Sequence, residues 1–248
     1  MNVSSFVRCG LVAALVTAGA CSTAGVRPQQ EAKPAGLPRP QRILVSDLAT
    51  RESQVNPNSS VTANTRAKAQ GKSLNQRKEA VAKEAVDAFG DDTVEGLRKL
   101  GFDATRVARG TEPGRGELLI DGEFIDINEG SRLRRVVIGF GSGKSRIDAQ
   151  LQVYLGPDRE KLVDFSTHAD SGELPGAAVT MTAGAVVTGG VAPAAVATNA
   201  AIGGIKVHRS ATGNLAGRSG QQAVKYLSEY FAKQGWIAPE KSEKAKRE

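Results

Sequence analysis

One segment organises this sequence: Arg132-Leu-Arg-Arg-Val-Val-Ile-Gly-Phe-Gly-Ser-Gly-Lys-Ser-Arg-Ile-Asp-Ala-Gln-Leu-Gln-Val-Tyr-Leu155. After an apolar run at 136–138 and several glycines, apolar and polar residues alternate. One face would carry Ile147, Ala149, Leu151, Val153 and Leu155, and the other Arg146, Asp148, Gln150, Gln152 and Tyr154. A period of two is typical of a half-buried strand. We therefore predict a hairpin or a tightly bent strand pair, with a structural turn formed by Gly139, Gly141, Gly143 and Ser145, because glycine permits positive φ.

The same glycines imitate a phosphate-binding loop, but their context argues against one. The Walker pattern needs a glycine where Ile138 stands, and the dinucleotide fingerprint needs one at Lys144. Both loops must also open a helix, whose N-terminal amides hold the phosphate. Here a strand follows, so we expect no nucleotide and no other cofactor.

The first 20 residues have the pattern of an export signal. Arg8 precedes a short apolar run, and the small residues 18–20 stand directly before Cys21. The run is too short for a permanent membrane span. Small residues before a cysteine resemble a bacterial lipobox. We therefore predict a lipoprotein signal peptide over residues 1–20 and the attachment of acyl chains such as palmitate to Cys21. The alternative is an ordinary secretory signal.

The cysteines and Ser22 bear on location. Cys9 would leave with the signal, so the exported chain would keep one thiol and form no internal disulfide. In lipoproteins, an aspartate directly after the lipidated cysteine resembles a signal for retention in the inner membrane. This chain has Ser22 at that position instead. We therefore predict attachment to the cell outer membrane through the lipid, on its periplasmic side.

Composition narrows the class of partner. The chain has 248 residues, a formal net charge of +7 and 4% aromatic residues. A mild, dispersed positive charge with few aromatics does not favour nucleic-acid binding. We expect no nucleic-acid partner, and a protein partner or a homo-oligomer instead.

The order of segments predicts one domain with tails. Prolines mark residues 21–41 as a tether, residues 42–237 form a single α/β domain, and residues 238–248 form a charged, disordered tail. Within the domain we predict strands at 42–48, 102–108, 117–128 and 161–167, and helices beginning at Ser73 and Ser219, with a long loop at 49–72 and a possible helix break at Gly90. Ser73 and Gln76 have capping-box spacing, and Gly235 ends the second helix. The fold class is α/β (α+β), with a mixed, largely antiparallel sheet, a helix after the first strand and a C-terminal helix.

One segment has an unusual composition. Residues 174–205 contain no charged residue and consist mainly of Ala, Gly, Val and Thr. Small residues permit close helix packing, whereas Pro193 and the scarcity of Leu and Phe argue against a single spanning helix. Three interpretations stay open: a pair of packed small-residue helices, a flexible low-complexity loop, and a segment that enters a membrane alone or as an oligomer.

No catalytic or metal-binding constellation is evident. His168 and His208 lie far apart in the chain, without further ligands at metal-site spacing. The acids at 121–129 are clustered, but regular alternation would put Glu123 and Asp126 on opposite faces of their strand. We predict no enzymatic activity and no metal, and regard these acids as a solvated surface.

Basic side chains crowd the central hairpin. Arg132, Arg134, Lys144 and Arg146 form a possible interaction patch for anionic headgroups or an acidic partner. Structural salt bridges are the simpler role, because exposed basic residues commonly form them.

Together these elements resemble a bacterial lipoprotein family, the domain of unknown function 4410. The matching pieces are Ile43-Leu-Val-Ser-Asp47, Leu100-Gly-Phe102, Asp121-Gly-Glu-Phe124, Glu129-Gly-Ser-Arg132, Arg135-x-x-Ile-Gly-Phe-Gly-Ser-Gly-Lys-Ser145, Ser171-Gly172 and Gln234-Gly-Trp-Ile237. This resemblance supplies no catalytic residue. The opening strand also resembles those of envelope lipoproteins related to the curli secretion channel and to the amino-terminal domain of the Tol-system protein, and that resemblance implies an α/β domain with a mixed sheet. The hypothesis is a structural or interaction component of the envelope. The alternatives are an oligomeric secretion- or membrane-associated component that uses residues 174–205, and an enzyme or ligand-binding protein that uses the acids at 121–129.

Overall fold

The computed structural model of the chain describes residues 23–33, 36–131, 143–172 and 209–248. The strands of this part are β1 (Ala24–Glu31), β2 (Arg42–Ser46), β3 (Val55–Asn56), β4 (Ala104–Val107), β5 (Glu117–Asn128), β6 (Arg146–Leu155) and β7 (Glu160–Asp170). Its α-helices are α1 (Val61–Ala69), α2 (Leu74–Lys99) and α3 (Ala211–Lys233). Two short 3-10 helices, Glu52–Gln54 and Pro239–Lys241, complete the regular structure of these residues.

The strands form one mixed sheet. Their order is β1-β7-β6-β5-β2-β4, and β3 lies beside β5. β2 pairs in parallel with β4 and β5, and β3 pairs in parallel with β5. The other neighbouring pairs, β5–β6, β6–β7 and β7–β1, are antiparallel. The predicted α+β fold, with a mixed sheet and a C-terminal helix, is therefore confirmed.

Both long helices pack on one face of the sheet. Phe89 of α2 meets Phe124 of β5 with ring centroids 5.9 Å apart, and Tyr226 of α3 meets Phe165 of β7 at 4.6 Å. Gly220 lets the helices approach each other, because a Cβ there would lie 2.8 Å from the carbonyl oxygen of Phe89. Burial of these apolar side chains supplies the main favourable free energy of the fold.

The alternation predicted for residues 146–155 holds. Ile147, Ala149, Leu151 and Val153 are fully buried beneath the helices, and Leu155 is partly buried at the strand end. The opposite face is polar, and no helix of the described residues covers it. β6 is thus a half-buried strand in the centre of the sheet.

The tether predicted over residues 21–41 is wrong for residues 24–31, which form β1. This strand pairs with β7, and Val26 is fully buried. Pro28 is compatible with a strand here because β1 lies at the sheet edge and its register shifts between Pro28 and Gln30. The folded domain therefore includes residues 24–31 and does not begin at residue 42.

The disordered tail predicted over residues 238–248 is also wrong. Val26 N–H donates to the carbonyl oxygen of Lys246 at 2.7 Å, and Glu248 N–H donates to the carbonyl oxygen of Val26 at 3.3 Å. Arg247 stacks over the ring of Tyr226, with the guanidinium carbon 4.8 Å from the centroid. The last residues thus cover part of the β1 edge, which would otherwise expose unpaired backbone groups.

Two local predictions differ from the structure. The loop expected at 49–72 contains β3 and α1, and Gly90 does not interrupt α2, which is continuous from Leu74 to Lys99. The side chain of Arg106 packs against Gly90, and a Cβ at that position would lie 3.1 Å from Nε of Arg106. The capping box of Ser73 and Gln76 is present as predicted.

Several predictions fall outside the described residues. They are the signal peptide at 1–20, lipidation of Cys21, Gly139 and Gly141 of the turn, Arg132 and Arg134 of the basic patch, and the uncharged segment 174–205. Among the residues that the structure describes, no helix is long and apolar enough to cross a membrane.

Candidate functional site on the polar face of the sheet

The candidate site is the polar face of β5, β6 and β7, on the side away from the helices. Cross-strand pairing places its side chains in rows. One row contains Asp126, Asp148 and His168, and the next contains Glu123, Gln150 and Ser166. Side chains directly opposite each other in a sheet lie about 5 Å apart, so charges within a row interact.

A β-bulge at Ile125 determines which acids share this face. The β5–β6 register shifts between Phe124 and Asp126, so that Phe124 and Ile127 both point into the core with no exposed surface. The extra residue turns Asp126 onto the same face as Glu123, contrary to the prediction from regular alternation. Ile125 is left 48% exposed on the polar face.

His168 lies between two carboxylates. Its Nδ1 is 2.5 Å from Oδ1 of Asp148, and its Nε2 is 3.4 Å from Oδ2 of Asp170. Burial by itself would lower the pKa of His168, but the hydrogen bond and charge of Asp148, the charge of Glu248 and the hydrogen bond to Asp170 raise that pKa above its ordinary 6.5. The protonated imidazole is therefore the form that this face favours.

Asp170 ties the end of β7 to three other segments. It accepts hydrogen bonds from Thr23 Oγ1 at 3.0 Å and from Gly172 N–H at 2.8 Å, and Lys144 Nζ lies 3.2 Å from Oδ2. Burial by itself would raise the pKa of Asp170, but these donors and His168 outweigh it and lower the pKa to about 2. Asp170 is thus an ionised anchor at neutral pH.

Asp126 has the opposite tendency. Burial raises its pKa, and the neighbouring charge of Asp148 adds to that effect, while Arg146 and a hydrogen bond from Asn56 oppose it. A shallow depression of about 240 Å³ lies beside this row, lined by Arg27, Ile125, Asp148, Ser166, His168 and Glu248. The depression offers charged and hydrogen-bonding groups around one exposed isoleucine.

The turn residues that the structure describes form the support of this site. Gly143 has a φ of 74°, and its carbonyl oxygen accepts the N–H of Ser131 at 2.7 Å. Ser145 is fully buried, and its hydroxyl donates to the carbonyl oxygen of Glu129 at 2.7 Å. Its backbone bonds to Ser171. The two serines therefore join the beginning of β6 to the end of β7.

The basic patch divides in two. Lys144 forms the ion pair with Asp170, which is a structural role. Arg146 is exposed at the beginning of β6, and its charge opposes the rise in the pKa of Asp126.

The other acids at 121–129 are engaged in ion pairs or hydrogen bonds. Asp121 pairs with Arg159 at 3.2 Å, and Glu123 pairs with Arg51 at 2.7 Å. Glu129 accepts the N–H of Asn58 at 2.7 Å. Such groups hold neighbouring segments together rather than forming an acid pair for catalysis.

A separate charged cluster lies on the helix side of the sheet. Arg106 of β4 donates to Asp47 at the end of β2 and to Asp87 of α2, the latter at 2.7 Å. Burial by itself would raise the pKa of Asp87, but hydrogen bonds from Lys83 and Arg106 lower it. This cluster joins β2, β4 and α2 and is a structural network.

The face presents charged and hydrogen-bonding side chains around the exposed Ile125. No group of three or more His, Cys, Asp and Glu side chains within the described ranges is arranged to hold a metal ion. Sequence reasoning missed the grouping of Asp148, His168 and Asp170. The alternation of β6 assigns Asp148 to the polar face, but only the β6–β7 register brings His168 opposite it.

Comparison with solved structures finds distant similarities. The PelC dodecamer from Paraburkholderia phytofirmans is 9% identical, with a TM-score of 0.30, over 61% of this chain and 82% of that one. A protein of the DUF330 family from Xanthomonas campestris is 13% identical, with a TM-score of 0.32, over 84% of this chain and 95% of that one. Similarities at this level do not indicate a shared function.

No curated protein matches the sequence. The model of one family, the domain of unknown function DUF4410, matches residues 43–188. This match extends from β2 through β7, includes the polar face and its supporting turn, and covers more than half of the chain. The chain therefore belongs to the DUF4410 family.

Proposed function

We propose that this protein is a non-enzymatic envelope lipoprotein, anchored to the outer membrane through Cys21 on the periplasmic side, that binds a protein partner with the polar face of its sheet. The observation that carries the proposal is the attachment of Thr23 to the sheet. The carbonyl oxygen of Thr23 accepts the N–H of Asp170 at 2.8 Å, while its hydroxyl bonds to the Asp170 carboxylate.

This attachment limits the distance between an anchor and the domain. Cys21 precedes Thr23 by two residues, so a lipid on Cys21 would lie within about 7 Å of the sheet along the chain. Two or more acyl chains give stable membrane attachment. The domain would therefore sit against the bilayer with this end of the sheet.

The polar face suits a protein partner. With the anchor at one end of the strands, the sheet would stand roughly perpendicular to the bilayer. Its polar face would then be exposed to the periplasm, where a protein partner can bind it. The face combines the exposed Ile125 with charged groups of both signs around the depression. Protein interfaces commonly combine an apolar contact with a polar rim.

Anchoring is tested by metabolic labelling with radioactive palmitate and by membrane fractionation. The wild-type chain should incorporate label and stay with outer membranes through a high-salt wash, whereas Cys21→Ala should incorporate no label and be released by that wash, because salt screens exposed charges but does not extract acyl chains. Cys9→Ala is the matched control and should behave as the wild type. Label that persists in Cys21→Ala would overturn the proposed anchor.

Partner binding is tested by site-specific photocrosslinking in cells. A photoreactive residue replaces Ile125 on the polar face, and the control replaces Asn75, which is exposed on α2. We expect a discrete crosslinked protein from position 125 alone. The same products from both positions, or none from position 125, would contradict the proposed use of this face.

The second candidate function is a membrane-associated oligomer that uses residues 174–205. It is favoured by the position of the flanking residues. Ser171 N–H donates to the carbonyl oxygen of Ser145 at 3.1 Å, and α3 runs back along β7 from Ser210, since Ser219 lies 2.6 Å from Thr167. Both flanks are thus at the Thr23 end of the sheet. Light scattering tests this candidate on a chain in which a Gly-Ser linker replaces residues 174–205. If that segment holds an oligomer together, the particle mass of this variant should be lower than that of the wild type.

A further inference from the structure

A second surface, separate from the polar face, contains α1 and the beginning of α2. We call it the basic surface and define it by Val61, Arg66, Lys68, Lys72 and Leu74. All five residues are exposed. Val61 is 78% exposed and Leu74 56%, and they are two of the three exposed large apolar side chains of the described residues.

The segment that carries this surface has charged residues of one sign. Residues 53–78 contain five Lys and Arg residues and no Asp or Glu. Two of the five, Arg77 and Lys78, are partly buried and donate to the carbonyl oxygens of Asn58 and Glu52. In the part of the chain that the structure describes, Arg66, Lys68 and Lys72 form no ion pair or side-chain hydrogen bond, so three cations remain for a partner.

Core packing does not account for α1. Of its nine residues, Ala67 is the one that is buried. The helix is held by the Ser60 cap and by the bonds of Arg77 to Asn58 and Asn64. A helix of this length is marginal in water by itself, and α1 buries too little apolar surface to be stabilised by packing, so these hydrogen bonds hold it in place.

The basic surface and Thr23 lie at the same end of the sheet, where β3, β5 and β7 end and β1 and β6 begin. Cross-strand pairing joins Asn56, Asn128, Arg146 and Asp170 in one row, and Asp170 bonds to Thr23. Adjacent strands lie about 4.8 Å apart, so Asn56 and Thr23 are about 19 Å apart along this end. α1 begins five residues after Asn56, close in the chain to the hydrogen bond between Asn58 and Glu129.

We propose that the basic surface binds the headgroups of an anionic phospholipid bilayer, with Val61 and Leu74 entering the interfacial region. The inference rests on the proposed function in one respect: a lipid on Cys21 would place the bilayer at the end of the sheet where the basic surface lies. Anionic lipid attracts each basic residue near the surface with about 1 kcal/mol at physiological ionic strength. Three free cations therefore predict about a 100-fold effect on partitioning.

A bilayer fits these residues better than a protein does. Lys68, Lys72 and Arg66 are long, flexible and unpaired, so they suit a fluid array of phosphates more than a fixed set of carboxylates. The apolar residues stand singly rather than as a continuous stripe, and a helix of this kind lacks the i, i+3, i+4 face that a protein groove recognises.

The test measures co-sedimentation with vesicles that contain about 30% phosphatidylglycerol in phosphatidylcholine, against pure phosphatidylcholine, at low and high salt. The protein is the chain from Ser22 to Glu248, which carries every described residue and no lipid. The test variant is Arg66→Gln/Lys68→Gln/Lys72→Gln. The matched control, Lys33→Gln/Arg115→Gln/Lys241→Gln, removes three exposed, unpaired cations from the opposite end of the sheet.

We expect the wild type and the control to bind vesicles that contain phosphatidylglycerol, and the test variant to bind about 100-fold more weakly. Salt should abolish the difference, because it screens exposed charges. Absence of wild-type binding, or equal weakening by both triple variants, would overturn the proposal. Since this protein carries no lipid, failure of Cys21 acylation would leave the result unchanged, and the two proposals can fail separately.

A second measurement does not depend on the truncated chain. An environment-sensitive fluorophore on Thr65→Cys, in a full-length chain that also carries Cys9→Ser and Cys21→Ser, should shift to the blue in vesicles with anionic lipid. The same fluorophore on Asp158→Cys, in the turn between β6 and β7, should not shift. Equal emission from both positions would contradict a bilayer contact of the basic surface.

Discussion

Replacement of Asp170 by Asn tests the ionic anchor at the end of β7. Asn keeps the size and one acceptor oxygen but loses the charge that Lys144, His168 and the Gly172 N–H stabilise. The pKa of Asp170 is about 2 in the folded chain, against an ordinary 3.8. Each unit of difference corresponds to about 1.4 kcal/mol, so the ionised carboxylate contributes about 2 kcal/mol to the free energy of unfolding.

The pH dependence follows from the direction of this shift. Because the folded-state pKa of Asp170 lies below the ordinary value, its contribution is complete above pH 3.8 and is lost as the pH falls through about 2. At about pH 3 roughly half of it should remain. At neutral pH, Asp170→Asn should lower the melting temperature by about 4–8 °C, as expected for a domain of this size.

Urea unfolding followed by circular dichroism between pH 3 and pH 7 measures the difference. Asp158→Asn is the matched control, because Asp158 is exposed in the turn between β6 and β7. We expect no change from this control at any pH. A loss below about 0.5 kcal/mol at neutral pH, or a loss that does not shrink towards acid pH, would refute the assigned role of Asp170.

Three further predictions concern the packing and the polar face. His168→Gln should cost most stability below about pH 6.5 and progressively less as the pH rises through the raised pKa of His168, which pH-dependent urea unfolding measures; a loss that grows with pH would contradict it. Gly220→Ala should lower the free energy of unfolding by about 2 kcal/mol, because the new Cβ would meet the carbonyl oxygen of Phe89, while the exposed Asn214→Ala should have little effect in the same assay. Deletion of residues 245–248 should cost about 2 kcal/mol and promote self-association through the freed β1 edge, and an unchanged melting temperature and mass would show that the tail does not protect that edge.

Local patterns predicted the elements whose signals lie within a few residues. The third predicted strand has the bounds of β5, from Glu117 to Asn128. The capping box at Ser73 begins α2, and Gly235, with a φ of 74°, follows the end of α3. These signals are local because alternation, caps and positive φ depend on neighbouring residues.

β1 and the C-terminal residues had no such signal. Val26 contributes a buried side chain, but Pro28 and the polar residues around it are typical of a linker. The strand exists because β7, more than a hundred residues later in the chain, supplies its hydrogen-bond partners. Residues 246–248 then bond to β1, and no pattern within the tail indicates this contact.

The sequence by itself determined the half-buried strands β5 and β6, the beginning of α2 at Ser73 and the end of α3 before Gly235, because side-chain periodicity and helix caps are properties of neighbouring residues. The beginning of α3 at Ala211, rather than at the predicted Ser219, was not determined in this way. Only the tertiary structure decided the composition of the polar face. The bulge at Ile125 moved Asp126 to that face, and strand register brought His168 between Asp148 and Asp170. The physical reason is that register and bulges depend on pairing between distant strands, and a shift of one residue reverses the face of every side chain beyond it.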